Sequence, residues 1–212
     1  MGETGKRILS AAVLIPPVLA AVHFGQPYFE ALALVFAALM VWEWYKLSAR
    51  QPMLLVAGWA YIALAVYFIH LVRYAGGAGP FGLYLLFTVT WVTDTGAYVI
   101  GRSVGGLKLA PRISPSKTLS GALGGLIFGV MAAILLWFLA GFAVDARLVV
   151  FAVVYSVACQ IGDLVESAAK RHFGVKDSGN LIPGHGGILD RVDGLLGAAV
   201  AAGIMYALDG PL

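Results

Sequence analysis

Apolar runs of 17 residues or more follow one another along nearly the whole 212-residue chain, separated by short polar breaks. A helix needs about 20 mainly apolar residues to cross a hydrocarbon layer about 30 Å thick, and inside that layer every backbone N–H and C=O must be satisfied within the protein. Repeated runs of this length leave few folds open. With 60% hydrophobic and 12% charged residues and a mean hydropathy of +0.88, the chain falls outside the soluble, disordered and nucleic-acid-binding classes. We expect an all-α polytopic integral membrane protein that binds no nucleic acid. About seven transmembrane helices are predicted, near 8–24, 28–47, 53–74, 81–101, 119–142, 148–167 and 194–208.

Lys6 and Arg7 precede the first run as in a signal peptide, but no small-residue cleavage site follows, so the run is read as a span. Pro16 and Pro17 are expected to kink it, because each lacks an N–H and crowds the preceding turn. The single cysteine, Cys159, excludes an intrachain disulfide and reads as a small buried hydrophobe.

Charge selects an orientation. With the N-terminus in the cytoplasm, twelve of the fourteen basic residues fall on the cytoplasmic side, and only Arg73 and Arg147 fall outside. Basic residues resist translocation, so this asymmetry favours seven helices with the C-terminus outside. The organisation expected is a set of N-terminal membrane helices in 1–80 and a chemically richer region in 81–212. Two cytoplasmic loops, near 102–118 and 168–193, carry most of the chemistry. Their positive charge satisfies insertion and is also suited to anionic headgroups or nucleotide phosphates.

Three polar groups stand out. In "QIGDLVESAAKRH", Asp163, Glu166 and Lys170 recur at i, i+3 and i+7 and share a helix face. An acid at the membrane boundary is costly unless paired or hydrated, which favours function over an Asp–Lys pair that merely caps the helix. In "GHGGILDRVDG", glycines at 184, 186 and 187 permit tight turns whose N–H groups can form an anion nest. Asp190 and Asp193 then open the last helix with Arg191 between them. Such carboxylates suit Mg²⁺, which takes one or two of them and completes its shell with water and phosphate oxygens; acids also favour any helix N-terminus. His185 can be read as a general acid or base, a phosphate donor or a loop hydrogen bonder, and the last two are favoured because no nucleophile with its orienting base lies beside it. The third group is "WVTDTGAYVIGRSVGGLKLAPRISPSKTLSG", with Asp94 inside a span and Arg102, Lys108, Arg112, Ser114, Ser116, Lys117 and Thr118 after it. Hydroxyls and a lysine opening a helix can grip phosphate, and Ser116 or Thr118 can equally cap that helix. "GALGGLIFG" reads as helix packing.

From Ser167 to Asp193 the chain, "SAAKRHFGVKDSGNLIPGHGGILDRVD", is similar to the 27-residue signature of the phosphatidate cytidylyltransferase (CDP-diacylglycerol synthase) family. Ala169 stands where a larger aliphatic is usual. The stretch from Asp94 to Tyr98, with Gly101, Arg102 and Ser114 to Thr118, resembles that family's "DTGAY…GR…SPKKT", with Ser116 in place of a lysine. Lys117 is therefore the stronger phosphate candidate of the two. The resemblance covers about residues 90–195 by motif and the rest by hydropathy, with an N-terminal half shorter than in many bacterial members.

The resemblance implies transfer of the cytidylyl group of CTP to phosphatidate in the bilayer, giving CDP-diacylglycerol and pyrophosphate for phospholipid synthesis. It implies Mg²⁺, with room for a second cation, with Asp163 and Asp190 as the leading ligands and Asp193 beside them. It assigns catalytic roles to Asp163, Lys176, Asp177, His185, Asp190 and Arg191. Substrate contacts fall to Asp94, Arg102, Ser114, Lys117, Thr118, Ser167, Lys170, Arg171, Gly186 and Gly187. A homodimer in the bacterial inner membrane, with its site facing the cytoplasm, is the implied setting. Two competing readings are a CTP-dependent transferase acting on an isoprenoid lipid and a transporter lined by broken helices.

Overall fold

A computed structural model describes residues 3–181 and 186–212, with side chains from residue 12 onward. Seven helices form among the described residues: α1 (Glu3–Phe24), α2 (Tyr28–Ser48), α3 (Pro52–Tyr74), α4 (Phe81–Val104), α5 (Leu119–Leu139), α6 (Ala146–His172) and α7 (Leu189–Asp209). Six of them, α2 to α7, are long and apolar enough to cross a membrane; α1 contributes the shorter apolar stretch Ala12–Phe24. The chain is an all-α polytopic membrane protein. Large apolar side chains such as Leu34, Met53, Leu139 and Leu208 are exposed on these helices, an arrangement stable only where lipid replaces water.

Proline and glycine set the helix limits. Pro52 opens α3 at a position where a missing N–H costs nothing, and Pro80 precedes α4. After α4, Gly105 (φ 66°) and Gly106 (φ 101°) take conformations that side chains with a Cβ resist, and they turn the chain into a short hairpin. Its strands, β1 (Lys108–Ala110) and β2 (Ser114–Thr118), pair antiparallel with Lys108 opposite Thr118. The stretch read in sequence as a helix opening is thus a strand up to Thr118, and α5 begins at Leu119. α6 also runs beyond its apolar segment, so Lys170 and Arg171 are helical rather than in a loop.

The chain divides into two compact units, residues 1–66 with 170–192 and residues 67–169 with 193–212. In the second, α4 and α5 lie in close contact through small residues. A Cβ on Gly121 would fall 2.7 Å from the Ala97 carbonyl oxygen, and one on Gly125 would fall 2.6 Å from that of Thr93. The "GALGGLIFG" glycines therefore let two backbones approach, as small residues do between membrane helices. Thr93 and Ser156 are buried in the same unit and join their hydroxyls at 2.9 Å.

Candidate functional site

In the second unit, the end of α4, the hairpin, the start of α5 and the middle of α6 enclose a cavity of about 600 Å³. The capping of α5 shapes it. Thr118 is extended (φ −121°, ψ 156°), and its Oγ1 accepts the Gly121 N–H at 3.1 Å. Gly101 is close by: a Cβ there would lie 2.9 Å from Thr118 Oγ1. Ser120 Oγ donates to the Gly105 carbonyl and ties the glycine turn to α5.

The cavity wall carries Asp94, Arg102, Lys108, Ser116, Lys117, Thr118, Gln160 and Asp163. Lys117 Nζ reaches Asp163 Oδ2 at 2.6 Å, the two side chains being 24% and 31% exposed. Ser167 Oγ donates to the other oxygen, Asp163 Oδ1, at 3.3 Å. The Cys159 thiol, buried in the same helix, donates weakly to Asp94 Oδ1 at 3.6 Å, a contact its reading as a plain hydrophobe did not include. Arg102 donates to the Tyr98 hydroxyl at 2.8 Å.

Asp193 belongs to the same unit, and its carboxylate accepts the Gly194 N–H at 2.7 Å. It lies within electrostatic range of Asp163, Glu166 and Asp94, so acids gather where α6 faces α7. The approach there is close, since a Cβ on Gly162 would fall 2.6 Å from the Asp193 carbonyl oxygen. Among the described residues no three acid, histidine or cysteine side chains close into a complete metal cage. The donor set fits Mg²⁺ all the same: hard carboxylate oxygens of like charge beside an open cavity, where water and phosphate oxygens complete the shell.

The first unit holds Asp190 in a different manner. Its Oδ2 accepts the N–H of Ser178 (2.9 Å), the N–H of Gly187 (2.8 Å) and the Ser178 hydroxyl (3.0 Å). Its Oδ1 meets Lys170 Nζ at 2.6 Å, and the two side chains are only 3% and 12% exposed. Both oxygens of Asp190 are therefore engaged by the protein itself. Beside it lies Glu43 of α2, 1% exposed, whose Oε1 accepts the Ile188 N–H and whose Oε2 accepts that of Leu189, each at 2.9 Å. The Ser178 hydroxyl is also 3.3 Å from Glu43 Oε2. The N–H group of Gly187, in the glycine turn read in sequence as an anion nest, and those of Ile188 and Leu189 after it are thus filled by the protein's own carboxylates, while Gly184 lies outside the described residues.

Of the remaining candidates, Lys176 and Asp177 lie exposed in the turn after α6, and Arg191 is exposed on the first turn of α7. Arg171 is exposed and donates to the Val175 carbonyl at 3.0 Å. Ser114 opens β2, half-buried. Gly186 turns the chain at φ 85°, and a Cβ on it would fall 2.9 Å from Asp190 Oδ2. His185 lies outside the described residues. Glu43 was not found by sequence reasoning, although an acid within an apolar span is a signal of its own.

The family model described as "Cytidylyltransferase family" matches residues 53–209. A phosphatidate cytidylyltransferase of Brucella suis is 46% identical over 166 residues, covering 77% of this chain and 59% of that protein. The chain thus spans about three fifths of the length of the Brucella relatives it matches. A phosphatidate cytidylyltransferase of Rickettsia bellii is 34% identical over 211 residues, covering 96% of this chain and 90% of its own length. One from Staphylococcus haemolyticus is 51% identical over 111 residues, 52% of this chain and 43% of that protein. With the matched region running through the cavity residues and the Asp190 loop, this chain belongs to the cytidylyltransferase family.

Proposed function

We propose that this chain transfers the cytidylyl group of CTP to phosphatidate, forming CDP-diacylglycerol and pyrophosphate. The observation that carries the reading is the cavity in which Lys117 meets Asp163 while Arg102, Lys108 and the hydroxyls of Ser116 and Thr118 line the wall. Cations and hydroxyls there suit a triphosphate, and an acid suits the metal that accompanies it. The membrane helices suit an acceptor whose acyl chains never leave the bilayer.

In the proposed reaction a phosphate oxygen of phosphatidate attacks the α-phosphorus of CTP, and the bond to the bridging oxygen of pyrophosphate breaks. No general base is required, because the second pKa of a phosphate monoester is about 6 and the nucleophile is mostly ionised at neutral pH. Catalysis then rests on alignment and on neutralising charge as it moves to the leaving group. Lys117, Arg102, Lys108 and the hydroxyls of Ser114 and Thr118 are assigned to phosphate oxygens, and Asp94 to the base or ribose. Bound Mg²⁺ would supply neutralisation of the triphosphate's charge. Asp163, Asp190 and Asp193 are its proposed holders, Asp163 and Asp190 each exchanging a protein donor to do so, and a second cation belongs to the same proposal.

Lys170 and Ser167 hold the two acids Asp190 and Asp163. Arg171, Lys176, Asp177, His185 and Arg191 are carried as further phosphate-contacting or proton-handling groups by their place in the signature, as are Gly186 and Gly187. The basic asymmetry of the loops and the bacterial relatives support an inner-membrane protein with its site on the cytoplasmic face. A homodimer belongs to the same proposal.

The test is pyrophosphate release from CTP by the detergent-purified chain, with phosphatidate and Mg²⁺ each present or omitted. Release that needs both supports the reading. Folded protein that releases none with phosphatidate but does so with an isoprenoid phosphate would overturn the acceptor, and silence with both would overturn the reaction.

A further inference from the structure

We infer that Glu43 is a positioning residue for the proposed reaction: from α2 it holds the first turn of α7, and with it Asp190, in the arrangement that turnover requires. This rests on the cytidylyl-transfer reading. Glu43 lies in an apolar helix, between Trp42 and Trp44, and is 1% exposed. A carboxylate that deeply buried is retained only where donors compensate its lost hydration. Here the donors are two successive backbone N–H groups at the start of a helix, Ile188 and Leu189, while the single hydrogen of the Ser178 hydroxyl is shared between Glu43 and the nearer Asp190. The first N–H groups of any helix lack partners within it, and its positive end favours an anion. Glu43 meets both needs from a segment more than a hundred positions away in sequence.

Two glycines confirm how closely the loop is fitted around this side chain. A Cβ on Gly179 would stand 2.7 Å from Glu43 Oε1, and one on Gly187 would stand 2.7 Å from both carboxylate oxygens. Neither glycine has a positive φ, so occupied space and not backbone strain excludes a side chain: Glu43 at Gly179, and at Gly187 the Ser178 hydroxyl, which is nearer still, together with Glu43. Ser178 joins Glu43 to Asp190, since its hydroxyl lies 3.3 Å from the one and 3.0 Å from the other. A displaced Glu43 would therefore disturb the Asp190 network without any contact between Glu43 and a substrate.

The experiment compares the full chain with Glu43→Gln and, separately, with Gly179→Ala, which crowds an unaltered Glu43. Glutamine keeps the volume but turns an NH2 toward a backbone N–H, so one of the two helix donors loses its acceptor. Deuterium exchange of the 186–192 segment should rise in both variants while exchange in α4 and α5 stays as in the parent. Turnover should fall by up to about a hundredfold, the cost of an ångström-scale misplacement. KM for CTP should stay within about threefold, because binding is not what is lost. The double variant should be no worse than the poorer single one, as for two changes to one contact. Unchanged exchange in 186–192 would overturn the inference whether or not the chain turns over CTP. Faster exchange with parental turnover would overturn the positioning role alone, and a parent inactive with every acceptor would count against the proposed reaction and leave the exchange result to judge the contact.

Discussion

A single methyl group at Gly162 should separate chemistry from folding in this protein. Gly162 immediately precedes Asp163 on α6, and a Cβ on it would lie 2.6 Å from the Asp193 carbonyl oxygen and 3.1 Å from the Gly197 Cα. Ordinary contact begins at 3.4 Å, so Gly162→Ala overlaps α7 by 0.8 Å against backbone atoms that have no rotamer to change. The helices must separate by that order. Overpacking of this kind costs about 1–3 kcal/mol, which a membrane bundle tolerates. Reacting groups displaced by about an ångström lose on the order of a hundredfold in rate. The overlap involves both Asp163 and Asp193, so turnover should fall far more than stability. Pyrophosphate release and a thermal unfolding midpoint in the same detergent measure the two effects, with Gly77→Ala as control, since no atom lies within 4 Å of a Cβ there. Parental turnover in folded Gly162→Ala would refute the claim that the spacing of α6 and α7 sets the geometry of these acids.

Two further substitutions distinguish the lysine–aspartate pairs. Asp190→Asn leaves Lys170 buried beside a neutral amide, so stability should fall by roughly 3 kcal/mol along with turnover, as for a buried pair broken on one side. A chemical or thermal unfolding curve matching the parent would contradict that. Lys117→Met removes a partly exposed pair and should change stability by less than about 1 kcal/mol. Its KM for CTP should rise, and a steady-state titration showing parental KM would remove Lys117 from the phosphate contacts.

What could be seen in the sequence was whatever is encoded locally. Hydropathy marks the helices because lipid tests each segment separately, and a cap at Ser116 or Thr118 was recognisable from its place before an apolar run; the structure selects Thr118. The end of α6 was placed five residues short, at Ser167 rather than His172, because Lys170, Arg171 and His172 end the apolar run without ending the helix. The hairpin was hidden because "SPSKT" carries no alternation of apolar and polar residues; its strand state follows from pairing with Lys108–Ala110. The partners of the acids were hidden for a different reason. Lys117 lies 46 residues from Asp163, and Glu43 lies 135 from Ser178, and no helical or strand period spans such separations. Asp190 illustrates the cost: its motif advertises an available ligand, whereas the fold surrounds it with a lysine, a hydroxyl and two N–H groups.

The family match begins at residue 53, yet Glu43 lies before it. A chain trimmed to 53–209 would keep the whole signature and lose the carboxylate that receives the Ile188 and Leu189 N–H groups. Grafting this region behind the leading helices of another protein should therefore succeed only where the graft brings an acid to the same depth of its second helix. Without such an acid, Gly179 would border a void instead of a side chain, and only the Ser178 hydroxyl would still crowd Gly187.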